Sequence, residues 1–224
     1  MSETQSDRLG EVLAGAKGLI FGLDGVLVST DRQKYESYRR AIDPLGADIS
    51  FEFYATLIGK SRMDTCQAIV DYCLLDISAG ELADLRQAEV AAVFAEFGMD
   101  VISPARKMLA VLPRGKYKLG LVSSSTRERV DVALEELDFD FDSVVSGEGL
   151  KPKPAPDLYL KCMEELGVEP DNTVVFDDAE NGIVAADAAG CRAVAVPTEH
   201  SRGQDFSKAL MTIDSLWQAG EFLI

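Results

Sequence analysis

Four short apolar runs recur along the chain, at Leu19–Leu23, Leu119–Ser123, Thr173–Asp177 and Ala193–Val196, with a weaker one at Ser143–Ser146. Runs this short, apolar on both faces and rich in β-branched residues, are the pattern of parallel strands covered on both sides. Helical periodicity fills the intervals at Arg127–Leu137, Asp157–Leu166 and Gly182–Ala189. Strand and helix in alternation predict an α/β fold: a doubly wound, Rossmann-like parallel sheet with right-handed crossovers. Between residues 31 and 98 the alternation stops. That stretch is strand-poor and rich in helix formers, as in Met63–Leu74 and Glu81–Phe97, and predicts an inserted α-helical domain. The expected division is a core of residues 1–30 with 99–224 and a helical cap domain of residues 31–98. The first sixteen residues or so read as a polar leader with a short helix.

Composition narrows the function. With 224 residues, 47% of them hydrophobic, the chain can bury a full core. A formal net charge of −16 opposes nucleic acid and anionic membrane, whose binding relies on Lys and Arg displacing counterions. A phosphate-bearing ligand must therefore be drawn in by a local pocket or a bound cation. No stretch approaches the roughly 18–20 apolar residues of a membrane span, and the acidic N-terminus lacks the order of a signal peptide. Cys66, Cys73, Cys162 and Cys191 form no CxxC pair and sit among apolar or helical neighbours. Reduced core thiols and a cytoplasmic location are the expectation. His200 is the single histidine, which excludes a His-based zinc site.

In parallel sheets ligands bind beyond the carboxyl ends of strands, so the residues after each apolar run carry the chemical interest. The first run leads into Asp24-Gly25, either an ordinary Asp-Gly turn or a carboxylate placed at the sheet edge. The second leads into Ser123-Ser124-Ser125-Thr126, hydroxyls before a helix start that suit a phosphate group. Ser125 with Glu128 also fits a capping box, which leaves Ser123 for a ligand. The third cluster is Lys151-Pro-Lys153-Pro-Ala-Pro-Asp157, where prolines limit the directions open to the Lys153 ammonium. The fourth is Asp177-Asp178 before Gly182-Ile183. Adjacent carboxylates there suit Mg²⁺, a hard cation that takes one or two of them and keeps several waters, while one of the two can instead cap the next helix.

Taken in order, Asp24-Gly25-Val26, Ser123, Lys153-Pro-Ala-Pro-Asp157 and Asp177-Asp178 with Gly182-Ile183 and Ala188-Ala189-Gly190 resemble the haloacid dehalogenase superfamily. The nearest likeness is to its β-phosphoglucomutase-like subgroup, which carries a helical cap. The resemblance runs from about Lys17 to Pro197. It implies Asp24 as general acid and base, Ser123, Ser124 and Lys153 as phosphate-binding residues, and Mg²⁺ on Asp178, Asp177 and the Asp24 backbone carbonyl. It also implies a cap substrate loop at Gly59, Lys60, Ser61 and Arg62, where Arg62 pairs with a second anionic group.

Three positions depart from the family pattern. Where the family has Asp-x-Asp-Gly-Val, with the first aspartate as nucleophile, this chain has Gly22, and a residue without a side chain forms no aspartyl-phosphate. The same change removes a Mg²⁺ ligand and weakens the metal site. Ser29 stands where the subgroup has an aspartate, and Lys34 where the mutase has a histidine. A lysine at its ordinary pKa is a poor proton shuttle near neutrality, which disfavours a sugar phosphomutase. The expectation is a phosphate-monoester hydrolase scaffold for a small phosphorylated metabolite, with catalysis lost or severely impaired. Two readings stay open. In one, Asp24 activates water in the space that Gly22 leaves; in the other, the protein is a non-catalytic binder of phosphometabolites or of a partner.

Overall fold

The computed structural model describes residues 3–58 and 60–224. It divides into two units, Met1–Val28 with Val101–Ile224, and Ser29–Asp100. The first unit contains α1 (Glu3–Leu13), β1 (Gly18–Gly22) and the start of β2 (Val28–Ser29). The second holds α2 (Asp31–Ile42), α3 (Phe51–Ala55), α4 (Arg62–Cys73) and α5 (Ala79–Phe97). After β3 (Asp100–Val101) the first unit resumes with α6 (Ser103–Val111), β4 (Lys118–Val122), α7 (Arg127–Leu137), β5 (Ser143–Val145) and α8 (Asp157–Leu166). It ends with β6 (Thr173–Asp177), α9 (Glu180–Ala188), β7 (Arg192–Ala195), β8 (Met211–Thr212) and α10 (Leu216–Leu223).

The expected doubly wound sheet is present: six parallel strands in the order β5-β4-β1-β6-β7-β8. β1 lies at its centre, with Leu19 level with Leu119 of β4 and Val174 of β6. All five β1 residues are buried, which explains an apolar run without alternation. On one face Phe21 stacks on Phe176, ring centroids 5.3 Å apart. Ile20, Val122 and Val175 pack with Leu158, Tyr159 and Cys162 of α8 and Ile183 of α9. Gly120 permits this packing: a Cβ there would collide with the Cys162 sulfur and lie 3.1 Å from Leu166. The strand order reverses about β1, so the crevice of this topology lies at the carboxyl ends of β1, β4 and β6.

The N-terminal helix is tied to the sheet rather than trailing from it. Arg192, at the start of β7, donates to the carbonyls of Val12 and Ala14 at 2.7 and 2.8 Å. Those carbonyls close α1, where a helix leaves its last acceptors unsatisfied. The helical unit has its own core of Tyr38, Ile42, Cys66, Ile69 and Leu82. Ser78 and Glu81 form a full capping box at the start of α5. Among the described residues no helix is long and apolar enough to cross a membrane.

Two expectations follow. Gly120→Ala overpacks the β4–α8 contact and costs about 1–3 kcal/mol. Urea unfolding would show a lower midpoint at unchanged m, and an unchanged midpoint would contradict the packing described. Burial pushes the Cys162 and Cys191 thiols up to about 12 and raises that of Cys66, all three being buried. A disulfide reagent should therefore modify only the half-buried Cys73 in the native protein, the other thiols reacting after denaturation. Rapid native modification of Cys162 would count against the core.

Candidate functional site at the sheet's carboxyl edge

Asp177 is the last residue of β6 and is only 3% exposed. Its Oδ2 accepts from the Lys153 ammonium at 2.7 Å and from the Tyr159 hydroxyl at 2.6 Å. Its Oδ1 accepts from the backbone N–H of Ala179 at 3.1 Å, just before α9. Gly182, on the first turn of α9, has no side chain at the place where the Asp177 carboxylate lies. The phenol serves the pair twice, since the Lys153 Nζ also sits 4.9 Å from the Tyr159 ring centroid. Burial, then the neighbouring Asp177, push the Tyr159 phenol well above its usual range, so it stays a donor.

Gly22 closes β1 beside this carboxylate. A Cβ at residue 22 would stand 3.0 Å from Asp177 Oδ2 and 3.3 Å from a Val26 methyl. Two residues on, Asp24 leads into a turn in which Gly25 takes φ +76°. The Asp178 side chain lies against Gly25, in the space a Cβ would fill. At the end of β4, buried Ser123 accepts from the Ser125 backbone N–H at 3.1 Å. The Ser125 hydroxyl donates to Asp24 Oδ2 at a long 3.5 Å, and Arg129 on α7 approaches Asp24 Oδ1 at 3.9 Å. Thus two sets of contacts, Lys153 with Asp177 and Ser123 with Asp24 through Ser125, lie in the first unit at the ends of the adjacent strands β1, β4 and β6, where Gly22 faces Asp177 and Asp178 lies over Gly25.

Residues 19–196 match the haloacid dehalogenase-like hydrolase family. The chain belongs to that family. Protein CbbY from Rhodobacter capsulatus is 29% identical over 213 residues, covering 89% of this chain and 93% of the relative. The fructose-1-phosphate phosphatase YqaB of Escherichia coli is 30% identical over 183 residues, covering 80% and 95%. A phosphorylated carbohydrates phosphatase from Thermotoga maritima is 28% identical over 177 residues, covering 78% and 82%. Among solved structures, CbbY from Rhodobacter sphaeroides in complex with phosphate superposes with a TM-score of 0.76 at 21% identity, covering 93% and 99%. β-Phosphoglucomutase from Clostridium difficile superposes at 0.72 with 25% identity, covering 91% and 92%.

The structure distributes the expected residues of this haloacid dehalogenase-like chain unevenly. Asp177 and Asp178, read together as Mg²⁺ ligands, meet different neighbours. Asp177 is engaged by Lys153, Tyr159 and the Ala179 amide. Asp178 alone lies over the turn that follows the Asp24 carbonyl. Among the described residues no three His, Cys, Asp or Glu side chains are grouped to hold an ion. A cation that keeps its waters needs fewer, and the Asp178 carboxylate over bare Gly25 is a hard oxygen donor of the kind Mg²⁺ takes.

The capping box expected at Ser125 and Glu128 does not form. Thr126 occupies the N-cap of α7, no side chain caps it, and the Ser125 hydroxyl turns to Asp24 instead. Ser124 is exposed. In the helical unit Ser61 caps α4 through the Asp64 N–H at 3.1 Å, Arg62 opens that helix on an exposed face, and Lys60 is exposed. Gly59 lies outside the described residues. Tyr159 and Arg129 were missed. The first reads as a core position of a helix, the second as one more charge on an acidic, basic-flecked helix face.

Tyr159→Phe keeps the ring and removes one of three donors to a buried carboxylate. The expected cost is about 1–3 kcal/mol in chemical unfolding. Native-like stability of that variant would remove the phenol from the network.

Proposed function

We propose that this protein recognises a small phosphate monoester, in the first place a sugar phosphate, at the carboxyl edge of β1, β4 and β6. On this reading it binds its ligand far better than it hydrolyses it. The observation that supports the reading is a contrast at the sheet's carboxyl edge: Lys153 rests on Asp177, Ser123 and Asp24 meet through Ser125, and Asp178 lies over Gly25, while the residue facing Asp177 from β1 is glycine. The relatives named as phosphatases of fructose 1-phosphate and of phosphorylated carbohydrates support the substrate class.

Phosphoryl transfer is mainly positioning and charge neutralisation. Lys153, held by Asp177 and Tyr159, and the Ser123 and Ser124 hydroxyls take the phosphoryl oxygens. Asp178 and the Asp24 carbonyl would hold Mg²⁺, which when bound neutralises charge on those oxygens. The Asp24 carboxylate exchanges a proton with the ester oxygen or with water. Nothing on residue 22 can attack phosphorus, so the covalent route is closed and only slow attack by water remains. Lys60, Ser61 and Arg62, with Gly59, are the residues of the helical unit assigned to substrate selection by the family resemblance; that unit we take to be the cap. Lys34 gives no support to a mutase. The four unpaired cysteines agree with a reducing compartment, the cytoplasm on this reading.

Hydrolysis of p-nitrophenyl phosphate with Mg²⁺ tests the reading. Loss of a nucleophile costs on the order of 10⁶ in rate where it has been measured in a protease. The chain as it stands should be nearly inert, and Gly22→Asp should raise turnover by at least roughly 10³-fold. The new Cβ requires Asp177 to yield by a few tenths of an ångström, hence the reduced figure. Mass spectrometry should find phosphorylated protein only with the variant. Turnover by the unmodified chain at an ordinary enzyme rate, about 1–10³ s⁻¹, would overturn the account of Gly22.

A further inference from the structure

Two arginines on the first turn of α7 behave differently. Arg127 pairs along its own helix with Asp131 at 2.8 Å, both side chains about half exposed, as surface i,i+4 pairs do. Arg129 instead crosses to the sheet edge, where its guanidinium stands 3.9 Å from Asp24 Oδ1, with the two side chains only 17% and 24% exposed. Ser125 touches the other oxygen of the same carboxylate, and the Ser125 amide touches Ser123. Arg129 therefore meets the carboxylate next to the residues read as phosphate-binding.

Stability alone is a weak reason for this placement. A partly exposed ion pair at 3.9 Å contributes little, and ordering an arginine costs rotamer entropy. The planar guanidinium has a chemical use that the distance leaves open. Its fork matches two oxygens of a phosphate, and 3.9 Å is longer than a hydrogen bond to Asp24. Lys153 is hydrogen-bonded to Asp177 at 2.7 Å, the shorter of the two ion pairs.

We propose that Arg129 is a binding residue of this site, whose guanidinium moves from Asp24 to the phosphoryl oxygens of a bound phosphate monoester. This rests on the phosphate-binding reading above. Its consequence is that Asp24 and the ligand compete for one cation. Calorimetric titration with inorganic phosphate, in EDTA and again with Mg²⁺, measures this on the native chain, Arg129→Gln, Arg129→Lys, Asp24→Asn and the Asp24→Asn/Arg129→Gln double variant. Arg129→Gln should weaken phosphate about tenfold, and Arg129→Lys should recover part of the loss. Asp24→Asn should tighten phosphate in EDTA, and the gain should shrink at least about threefold when Arg129 is glutamine, since coupled residues are not additive. Circular dichroism of each variant establishes that it is folded. If the native chain binds phosphate and Arg129→Gln binds it within twofold, Arg129 serves Asp24 only and the proposal falls. If Asp24→Asn gives the same gain with either residue at 129, the competition falls with it. If the native chain binds no phosphate under either condition, the functional reading itself fails and this inference goes with it.

Discussion

A carboxylate removed from water is costly unless donors surround it, and Asp177, 3% exposed at the end of a central strand, is placed where that cost is high. Its compensation comes from three segments distant in the chain: Lys153 in the Pro-rich loop, Tyr159 on α8 and the Ala179 amide before α9. Each donor fixes the segment that carries it. The lysine has a direction because the carboxylate holds its ammonium at 2.7 Å and the phenol ring lies against it. Tyr159 can do both because α8 packs down onto β4 over the bare α-carbon of Gly120. The geometry of the sheet edge thus depends on one buried charge, and that charge depends on the packing beneath it.

The same carboxylate sets the conditions for residue 22. A side chain there would begin 3.0 Å from Asp177 Oδ2, so an aspartate would bring a second negative charge against the first. Two carboxylates at such a distance repel unless a proton or cation intervenes. With glycine, the cluster holds Asp24, Asp177 and Asp178 against Lys153 and Arg129, one negative charge in excess by formal count. An aspartate would add another and make the site more dependent on a bound cation. On the proposed reading, glycine at residue 22 also lowers the negative charge that an incoming phosphate must overcome. On a surface of net charge −16 that local reduction matters.

The sheet was legible because strands buried on both faces must be apolar throughout. Thr173–Asp177 was read to the residue, and the others to within one, as where β1 starts at Gly18, which has no side chain to betray it. Arg127–Leu137 and Asp157–Leu166 were equally clear. α2 is covered only by the general reading of residues 31–98 as helical, and α6, α10 and the two-residue strands β2, β3 and β8 are not legible. The buried face of α2 includes Gln33 and Ser37, which hides its amphipathicity, and β8 has two residues. Inspecting strand ends found the carboxylates, Ser123 and Lys153. It joined Asp177 with Asp178, and the sequence does not tell that Lys153, Tyr159 and the Ala179 amide engage the first while the second lies against Gly25. Tyr159 and Arg129 could not be found this way, since each reaches the edge from a helix face, and only packing determines where a helical side chain ends.

Those two helix-borne residues complete the electrostatic logic. Each cation of the edge rests against a carboxylate, Lys153 on Asp177 and Arg129 on Asp24, so the two pairs are held unequally. The first is short, buried and backed by the phenol, which makes the lysine a fixed point charge that a ligand can share and not remove. The second is long and partly exposed, and on the proposed reading its guanidinium exchanges partners when the ligand binds. A monovalent anion gains one such contact against the excess negative charge of the cluster. A phosphate monoester carries up to two charges and several acceptor oxygens, and on the proposed reading it bridges both cations. On the proposed reading, selectivity for phosphate over smaller anions follows from that bridging, and it requires no attack by residue 22.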